Sequence, residues 1–345
     1  MAEVRPFRAE RYAERAGALD NLVAPPYDVL SEEQRREYVA RSPYNVVHLT
    51  LPDSAEQATS DLAAWRAEGI LEREPAETAW ALSQTYTGPD GVERTRNGLV
   101  VSLRIEPYET KTVLPHERTH AGPKEERLRL LRATRTQLEP IFLLHGGPRV
   151  ALPDRAPDLE IDGPQSHDRL WRVGDLPDFS DLQLLIADGH HRYETAVAFH
   201  AEDGTDASSW MMVVLVSTAE EGLTIFPTHR VAQDVDGAGG TPIDEPGEDL
   251  PGVVLYRSGR YELIPSEGLD VDVVDSLHPE GVTYTAQRAE AVAAVDRGDA
   301  AAAFLLRPTP LEAVFERARR GEVMPQKTTY FFPKLTSGLL FQPLD

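Results

Sequence analysis

The sequence predicts a mixed α/β (α+β) fold, and three apolar stretches support this prediction. Residues 182–200 read LQLLIADGHHRYETAVAFH. The apolar run at the start fits a short buried strand, Asp188-Gly189 breaks it, and apolar side chains then recur at the three- and four-residue spacing of a helix. Residues 140–145 and 210–217 are further apolar runs that fit buried strands. Strands thus alternate with helices along the chain, which indicates the α/β class.

The turn in the first stretch, Asp-Gly-His-His-Arg at 188–192, is a candidate phosphate site. The start of a helix carries N–H groups without intrahelical acceptors and a partial positive charge, so it favours anions. Gly189 lets a ligand approach the backbone closely, and Arg192 adds a guanidinium group that matches phosphate oxygens. His190 and His191 add donors, and Asp188 can hold a metal ion or a proton. The alternative is that Asp188 only caps the helix while the histidines are solvated.

Composition excludes several classes of protein. The 345 residues suffice for one large or two ordinary domains. The net charge of −22 disfavours nucleic acid and anionic lipid as partners. Cysteine is absent, which excludes disulfides and a thiol nucleophile. We find neither a signal-peptide core nor an apolar run of the roughly 20 residues that cross a bilayer. The sequence therefore predicts a cytoplasmic protein with no membrane partner, and it leaves a homodimer open.

Residues 1–100 are predicted to form an N-terminal α/β segment. Ser31, followed by Glu32, Glu33 and Gln34, is typical of a helix N-cap. The other predicted elements are a strand at 45–51, a helix at 60–69 that ends at Gly69, and a hairpin with strands at 80–86 and 97–105.

Residues 101–232 form the predicted core, and residues 233–345 a C-terminal α/β segment. The core is expected to hold a cationic helix at 124–138, a surface excursion at 146–180, the strands and helix named above, and a strand at 223–226 that pairs with 210–217. The C-terminal segment is expected to follow an acidic loop rich in Gly and Pro at 234–251, and to hold a helix at 286–297 and a strand at 301–306.

The run from His116 to His120, HERTH, fits the H-E-x-x-H signature of zinc hydrolases. That site needs both histidines on one face of a stable helix. Pro115 before the run and Gly122-Pro123 after it leave room for only one or two turns. A zinc-dependent hydrolase through His116 and His120 therefore stays an alternative. The sequence contains no P-loop, no dinucleotide fingerprint and no nucleophile elbow.

Five cations lie within twelve residues after this run, which is unusual in so acidic a chain. They are Lys124, Arg127, Arg129, Arg132 and Arg135. On a helix they cannot all point the same way, but Lys124 and Arg127 are neighbours three residues apart. These two are the candidates for lining a phosphate pocket with Arg192. The alternative is a solvated face paired with Glu125 and Glu126.

Five motifs in order give a family resemblance. They are APPYDV at 24–29, PHERT at 115–119, ADGHHRYETA at 187–196, PTHR at 227–230 and KTTYFFPK at 327–334. Together they resemble the bacterial domain-of-unknown-function 1015 family over nearly the whole chain. The second and third motifs also resemble the ParB/sulfiredoxin-like superfamily, most closely its archaeal free-serine kinases. This likeness implies a ParB/sulfiredoxin-like nucleotide-binding core with large N- and C-terminal additions.

The resemblance to the kinases implies roles for individual residues. Glu117 would be the acid–base catalyst, with Asp188 and His191 assisting it and Asp188 holding a metal. Nucleotide phosphates would be bound by a group at the helix start: Gly189, His190, His191 and Arg192, joined by Lys124 and Arg127. Candidates for the substrate pocket are Tyr27, Asp28, His229, Arg230 and Lys327. The longer spacer between the two motifs distinguishes this chain from the small kinases. Sulfiredoxin chemistry is excluded because it needs a cysteine in the second of these motifs.

The sequence thus favours a small-molecule kinase. It would transfer a phosphoryl group from ATP or ADP, with Mg²⁺, to a hydroxyl acceptor, with free L-serine the leading candidate. A nucleotide-binding regulator without turnover is the first alternative, and the zinc hydrolase is the second.

Overall fold

The computed structural model describes residues 1–119, 121–235, 239–265 and 268–345. It confirms the mixed α/β class. Tertiary contacts divide the chain into two units. The first comprises Met1–Pro115, Thr119–Leu223 and Pro333–Asp345, and the second comprises His116–Arg118 and Thr224–Phe332. The sequence analysis instead divides the chain into three consecutive segments, 1–100, 101–232 and 233–345. That division stays a prediction.

The described residues form eight helices and 21 strands. The helices are α1 (Glu32–Arg41), α2 (Val47–Thr50), α3 (Ala55–Ala67), α4 (Ala121–Thr134), α5 (His190–Asp203), α6 (Asp270–Ser276), α7 (Arg288–Asp296) and α8 (Leu311–Arg320). The strands are β1 (Val4–Arg5), β2 (Glu10–Tyr12), β3 (Leu71–Arg73), β4 (Ala79–Thr87), β5 (Glu93–Arg104), β6 (Val113–Leu114), β7 (Thr136–Gln137), β8 (Ile141–His145), β9 (Leu159–Asp162), β10 (His167–Val173), β11 (Leu184–Asp188), β12 (Trp210–Ser217), β13 (Thr224–Phe226), β14 (His229–Ala232), β15 (Thr241–Ile243), β16 (Val253–Arg257), β17 (Arg260–Ile264), β18 (Thr283–Thr285), β19 (Ala302–Leu305), β20 (Tyr330–Phe332) and β21 (Gln342–Pro343).

The first unit is built on a mixed sheet with the strand order β6-β11-β8-β12-β5-β4-β10-β9, and β1 also pairs with β5. The pairs β6–β11 and β8–β12 are parallel, and the other pairs are antiparallel. Side chains of β8, β11 and β12 pack with Tyr193 and Ala196 of α5 in one apolar cluster. Because this strand–turn–helix unit contributes to the core, the start of α5 is held firmly.

The second unit contains an antiparallel sheet with the order β15-β17-β16-β19-β14-β18. Both faces of this sheet are covered, as β16 illustrates. Val253 and Leu255 pack in a cluster with residues of α6, whereas Val254 and Tyr256 pack in a cluster with residues of α7. This alternation is the two-residue period of a strand that is buried on both sides.

Several local predictions are confirmed. Ser31 caps α1 through a capping box, in which its hydroxyl accepts from the Gln34 N–H and the Gln34 side chain accepts from the Ser31 N–H. The hairpin of β4 and β5, the strands β8 and β12, and the strand–turn–helix of β11 and α5 also form as predicted. Part of the predicted acidic loop, residues 236–238, lies outside the described residues, and the short strand β15 lies in the middle of the loop.

Three local predictions are wrong. Residues 45–51 were expected to be a strand, but they contain α2, which Asn45 begins by accepting from the Val47 N–H. Val46, Val47 and Leu49 are fully buried, so the apolar residues of this segment do not show the spacing of a helix with one buried face. Residues 146–180 are not a surface excursion, because β9 and β10 extend the main sheet from β4. The strand at 223–226 pairs with β20 instead of β12.

Among the helices in the described part of the chain, none has the length and apolar character that a bilayer span requires.

Candidate functional site

The turn between β11 and α5 depends on Gly189. Its φ of +100° lies in the left-handed region, which L-residues with a side chain rarely adopt. A β-carbon here would lie 2.5 Å from Cγ2 of Ile141 on the neighbouring strand β8. The pairing of β11 with β8 shifts register between Ile186 and Asp188, and such an irregularity re-aims the side chain that follows it. Both conformation and space therefore require glycine.

Asp188 is buried between two cations of the first unit. Its Oδ2 lies 2.7 Å from Nη2 of Arg192, and its Oδ1 is bonded to Nζ of Lys334. Burial alone would raise the pKa of Asp188, but the charges of Lys334 and Arg192 outweigh it and hold the pKa well below the ordinary value. Asp188 is therefore a carboxylate that holds two cationic side chains at the start of α5.

Arg192 is fixed from a second side. Its Nη1 donates to the carbonyl oxygen of Pro140 at 2.5 Å. Burial acts to lower the pKa of Arg192, but Glu139 and Asp188 raise it above its ordinary value, so the guanidinium group stays charged. His190 is buried and His191 is partly exposed, and both lie in the first turn of α5. The structure thus brings four sequence-predicted residues together around Gly189.

Tyr27 and Arg127 contact each other within the first unit. The guanidinium carbon of Arg127 lies 4.2 Å from the centroid of the Tyr27 ring, and its Nη1 donates to the Thr50 carbonyl at 2.5 Å. The Tyr27 N–H donates to Oε1 of the buried Glu139. Burial is the main cause that raises the pKa of Tyr27 to about 12. The neighbouring Asp28 is exposed.

Glu194 on α5 connects the two motifs that resemble the kinases. The hydroxyl of Thr119, the last residue of PHERT, donates to its carboxylate at 2.8 Å and 3.0 Å. Lys124 lies 2.8 Å from the same carboxylate. Lys124 is thus engaged in an ion pair with α5, and its assignment to a phosphate pocket with Arg192 stays a prediction. The end of the first motif is bound to the helix of the second.

Glu117 belongs to the second unit. Its Oε2 accepts from the backbone N–H of Lys327 at 3.3 Å, and the Met324 N–H donates to the carbonyl of His116. The Lys327 side chain is exposed, and its φ is +54°. His116 is fully buried, with Nε2 2.9 Å from Oγ1 of Thr329. The assignment of Glu117 as the catalyst stays a prediction.

The zinc signature lacks its helical setting at His116 and Glu117, because α4 begins only at Ala121. His120 lies outside the described residues.

His229 and Arg230 occupy core positions of the second unit. Nδ1 of His229 accepts from the Leu306 N–H at 3.0 Å, and burial lowers the pKa of this histidine to about 4. Nη1 of Arg230 donates to the Thr228 carbonyl at 2.7 Å. Both side chains are at least nine-tenths buried. These contacts stabilise the strand β14, so their assignment to a substrate pocket stays a prediction.

The fit of a metal ion can be judged from the donors around Asp188. Mg²⁺ prefers an octahedron of oxygen ligands. Both oxygens of Asp188 are already bonded to cationic groups. Outside His120, 236–238 and 266–267, we find no group of three His, Asp or Glu side chains that could hold a metal. These residues fit an ion-paired anchor better than a metal site made by the protein alone.

Lys334 and Glu139 are the residues that sequence reasoning missed. Lys334 closes the KTTYFFPK motif, so the signal was present, but nothing local assigned its side chain to Asp188, 146 residues away. Glu139 accepts from Ser337 Oγ at 2.6 Å as well as from Tyr27. Only the folded chain brings these segments together.

No curated protein sequence matches the chain. A solved structure described as "Free serine kinase in complex with AMP" is 18% identical to this chain. The match covers 70% of this chain and 92% of the solved chain, and its TM-score is 0.40. A conserved hypothetical protein from Pyrococcus furiosus is 17% identical over 70% of this chain and 95% of its own, with a TM-score of 0.38.

A third structure, "SbnI with C-terminal truncation from Staphylococcus aureus", is 14% identical over 70% of this chain and 87% of its own, with a TM-score of 0.43. At these identities the likeness concerns fold alone. The family match is of another kind, because residues 4–243 fit the family described as "Protein of unknown function (DUF1015)". The chain therefore belongs to the domain-of-unknown-function 1015 family, as its five motifs predict.

Proposed function

We propose that this protein is a nucleotide-dependent phosphotransferase that acts on a hydroxyl group, with free L-serine as the leading acceptor. The observation that carries the proposal is the start of α5. A left-handed glycine precedes the helix, and the buried Asp188 holds Arg192 and Lys334 beside it. A helix start flanked by cations is suited to the anionic tail of ATP or ADP.

Phosphoryl transfer depends on positioning and charge stabilisation more than on covalent chemistry. The N–H groups of the first turn of α5, together with His190 and His191, would donate to phosphate oxygens. Asp188 would position Arg192 and Lys334 instead of reacting itself. Mg²⁺ would be supplied on the nucleotide phosphates and would neutralise their charge. Glu117 would take the proton from the acceptor hydroxyl.

The test is a phosphoryl-transfer assay with the full chain, ATP or ADP, Mg²⁺ and a panel of hydroxyl acceptors that includes L-serine. We expect Glu117→Gln to lower turnover by about 10²–10⁴-fold, the usual contribution of a general base. Nucleotide binding, measured by calorimetry, should be retained in this variant. The matched control is Glu109→Gln, a change at an exposed glutamate earlier in the chain. Equal turnover of Glu117→Gln and the native chain would remove the catalytic assignment.

Acceptor phosphorylation by the native chain separates the kinase from the regulator, and Arg192→Ala tests whether nucleotide binds at the start of α5. Both proposals expect it to abolish nucleotide binding. If the native chain binds nucleotide through Arg192 but phosphorylates no acceptor, the regulator is the better description. A cytoplasmic location and a homodimer stay predictions.

A further inference from the structure

Lys334 reaches the start of α5 from a distant part of the first unit. Its Nζ is bonded to Asp188, and its side chain is mostly buried. The lysine side chain is a flexible four-carbon stem, so the place of its ammonium group depends on how the surrounding backbone is held. The contacts of the residues next to Lys334 therefore determine where this charge lies.

Asp168 anchors the chain on the C-terminal side of Lys334. It lies on β10, is fully buried, and accepts a hydrogen bond from the hydroxyl of Thr336 at 2.5 Å. It also accepts from the hydroxyl of Ser166 at 2.6 Å and from the side-chain amide of Gln84 at 3.1 Å. Breaking one of these bonds leaves a buried polar atom unpaired, which is costly. Thr336, two residues after Lys334, is therefore held in place.

Arg96 anchors the chain on the N-terminal side of Lys334. Its Nη2 donates to the carbonyl of Pro333 at 2.9 Å and to Oε1 of Gln84 at 2.5 Å. Arg96 is 1% exposed. Because the same Gln84 side chain donates to Asp168, Arg96 and Asp168 belong to one buried network. This network reaches residues on both sides of Lys334.

The connection between β9 and β10 contacts Lys334 itself. Oε1 of Gln165 accepts from the backbone N–H of Lys334 at 2.9 Å. A β-carbon on Gly163 would lie 3.0 Å from Oγ1 of Thr336, so this connection packs closely against the segment. The backbone around Lys334 therefore cannot shift without breaking contacts to β5 and to the β9–β10 hairpin.

We propose that Asp168 is a positioning residue of the candidate phosphate site. Acting through Thr336 and Arg96, it fixes the backbone on both sides of Lys334, so that the ammonium group lies beside the start of α5, where nucleotide phosphates bind. Groups of a functional site must be held within about 0.5 Å of their working position by neighbours that are themselves fixed. The inference rests on the proposed function, because it gives Asp168 a role at the same phosphate site.

The experiment measures the affinity of the full chain for ATP with Mg²⁺ by calorimetry, well below the unfolding temperature. Thr336 is changed instead of Asp168, because loss of the Asp168 carboxylate leaves three buried donors unpaired and risks unfolding. We expect Lys334→Met to weaken ATP binding by about 10–100-fold, the value of one hydrogen bond to a charged group. Thr336→Val should weaken it by roughly three- to tenfold, since the ammonium group is displaced without being removed. Thr336→Ser keeps the hydroxyl and should bind ATP like the native chain.

A second measurement separates positioning from general support of the fold. In the Lys334→Met background, Thr336→Val should have no further effect on ATP affinity, because no ammonium group remains to be placed. The matched control is Thr134→Val. Thr134 is 5% exposed, as Thr336 is, and its hydroxyl donates to the Leu130 carbonyl within α4. This control should leave ATP affinity unchanged.

Three outcomes would overturn the role of Asp168 and leave the proposed function standing. They are native ATP affinity in Thr336→Val, a loss that Thr336→Ser does not restore, and a further loss in the Lys334→Met background. If the native chain binds no ATP, the proposed function fails, and urea unfolding then decides the positioning role. Thr336→Val should lower the unfolding free energy less in the Lys334→Met background than in the native chain, because the two residues are coupled. Equal losses in the two backgrounds would show that Asp168 does not act on Lys334.

Discussion

Asp188 shows how a buried charge is kept in this protein. A lone carboxylate in its position would favour the neutral form, because burial penalises the charge. Arg192 and Lys334 reverse that preference, and each is itself about nine-tenths buried. Removing one member of such a group leaves a buried charge without full compensation, which is costly.

Lys334→Met tests this compensation. We expect the variant to lose about 2–4 kcal/mol of unfolding free energy, somewhat less than a fully uncompensated charge costs because Arg192 remains. Urea unfolding measures the change. The matched control is Arg132→Met, which breaks the exposed pair with Glu202 and should leave the unfolding free energy nearly unchanged. Adding Asp188→Asn to Lys334→Met should restore part of the loss. Equal effects of the two single changes would show that Lys334 does not stabilise a buried charge.

At the scale of the element, α5 is bounded by two left-handed glycines with different surroundings. Gly189 precedes the helix against Ile141, whereas a β-carbon at Gly204 would meet no atom within 4 Å. The first position is restricted by both backbone and packing, and the second by backbone alone. A substitution should therefore lower the unfolding free energy more at Gly189 than at Gly204.

Gly189→Ala should destabilise the protein by about 3 kcal/mol, since strain at positive φ and overpacking against β8 both contribute. Gly204→Ala should cost only about 1 kcal/mol, the price of the left-handed backbone. Thermal unfolding of the two variants and of the native chain measures the difference. If both alanines cost the same, the close approach to Ile141 does not constrain the turn.

The elements also show where local patterns suffice. The capping box of α1 and the strand–turn–helix of β11 and α5 follow from short-range rules, because their signals lie within a few residues. The strand predicted at 45–51 is wrong, because buried residues on consecutive positions carry no clear period. The strands β9 and β10 were missed, because their partner β4 lies far away in the sequence.

At the scale of the whole molecule, each unit holds a buried histidine with a lowered pKa. Burial lowers the pKa of His145 in the first unit from 6.5 to about 4. Burial is also the main cause that lowers the pKa of His229 in the second unit to about 4. Because the folded pKa lies below the unfolded value, the unfolded chain binds more protons in the interval between them. The stability that these neutral histidines contribute is therefore fully present above about pH 6.5, and it is lost as the pH drops towards 4.

Unfolding free energy measured from pH 7 to pH 4 tests this dependence. Each histidine should contribute a loss of about 1–3 kcal/mol across the interval. His145→Gln should flatten the acid limb, because the replacement does not titrate. His167→Gln is the control, since hydrogen bonds to Asp162 and Glu160 raise the pKa of this exposed histidine. Its contribution has the opposite sign and is lost as the pH rises. An unchanged acid limb in His145→Gln would contradict the assignment.

The sequence by itself determined the α/β class, most of the helices, the central strands β4, β5, β8, β11 and β12, the family and the candidate phosphate turn. These depend on interactions between residues close together in the chain. Only the tertiary structure decided that Lys334 neutralises Asp188, that Glu194 binds Thr119, and that His229 and Arg230 lie in a core. Burial and charge compensation depend on contacts between segments that are distant in the chain, and local sequence patterns do not reveal those contacts.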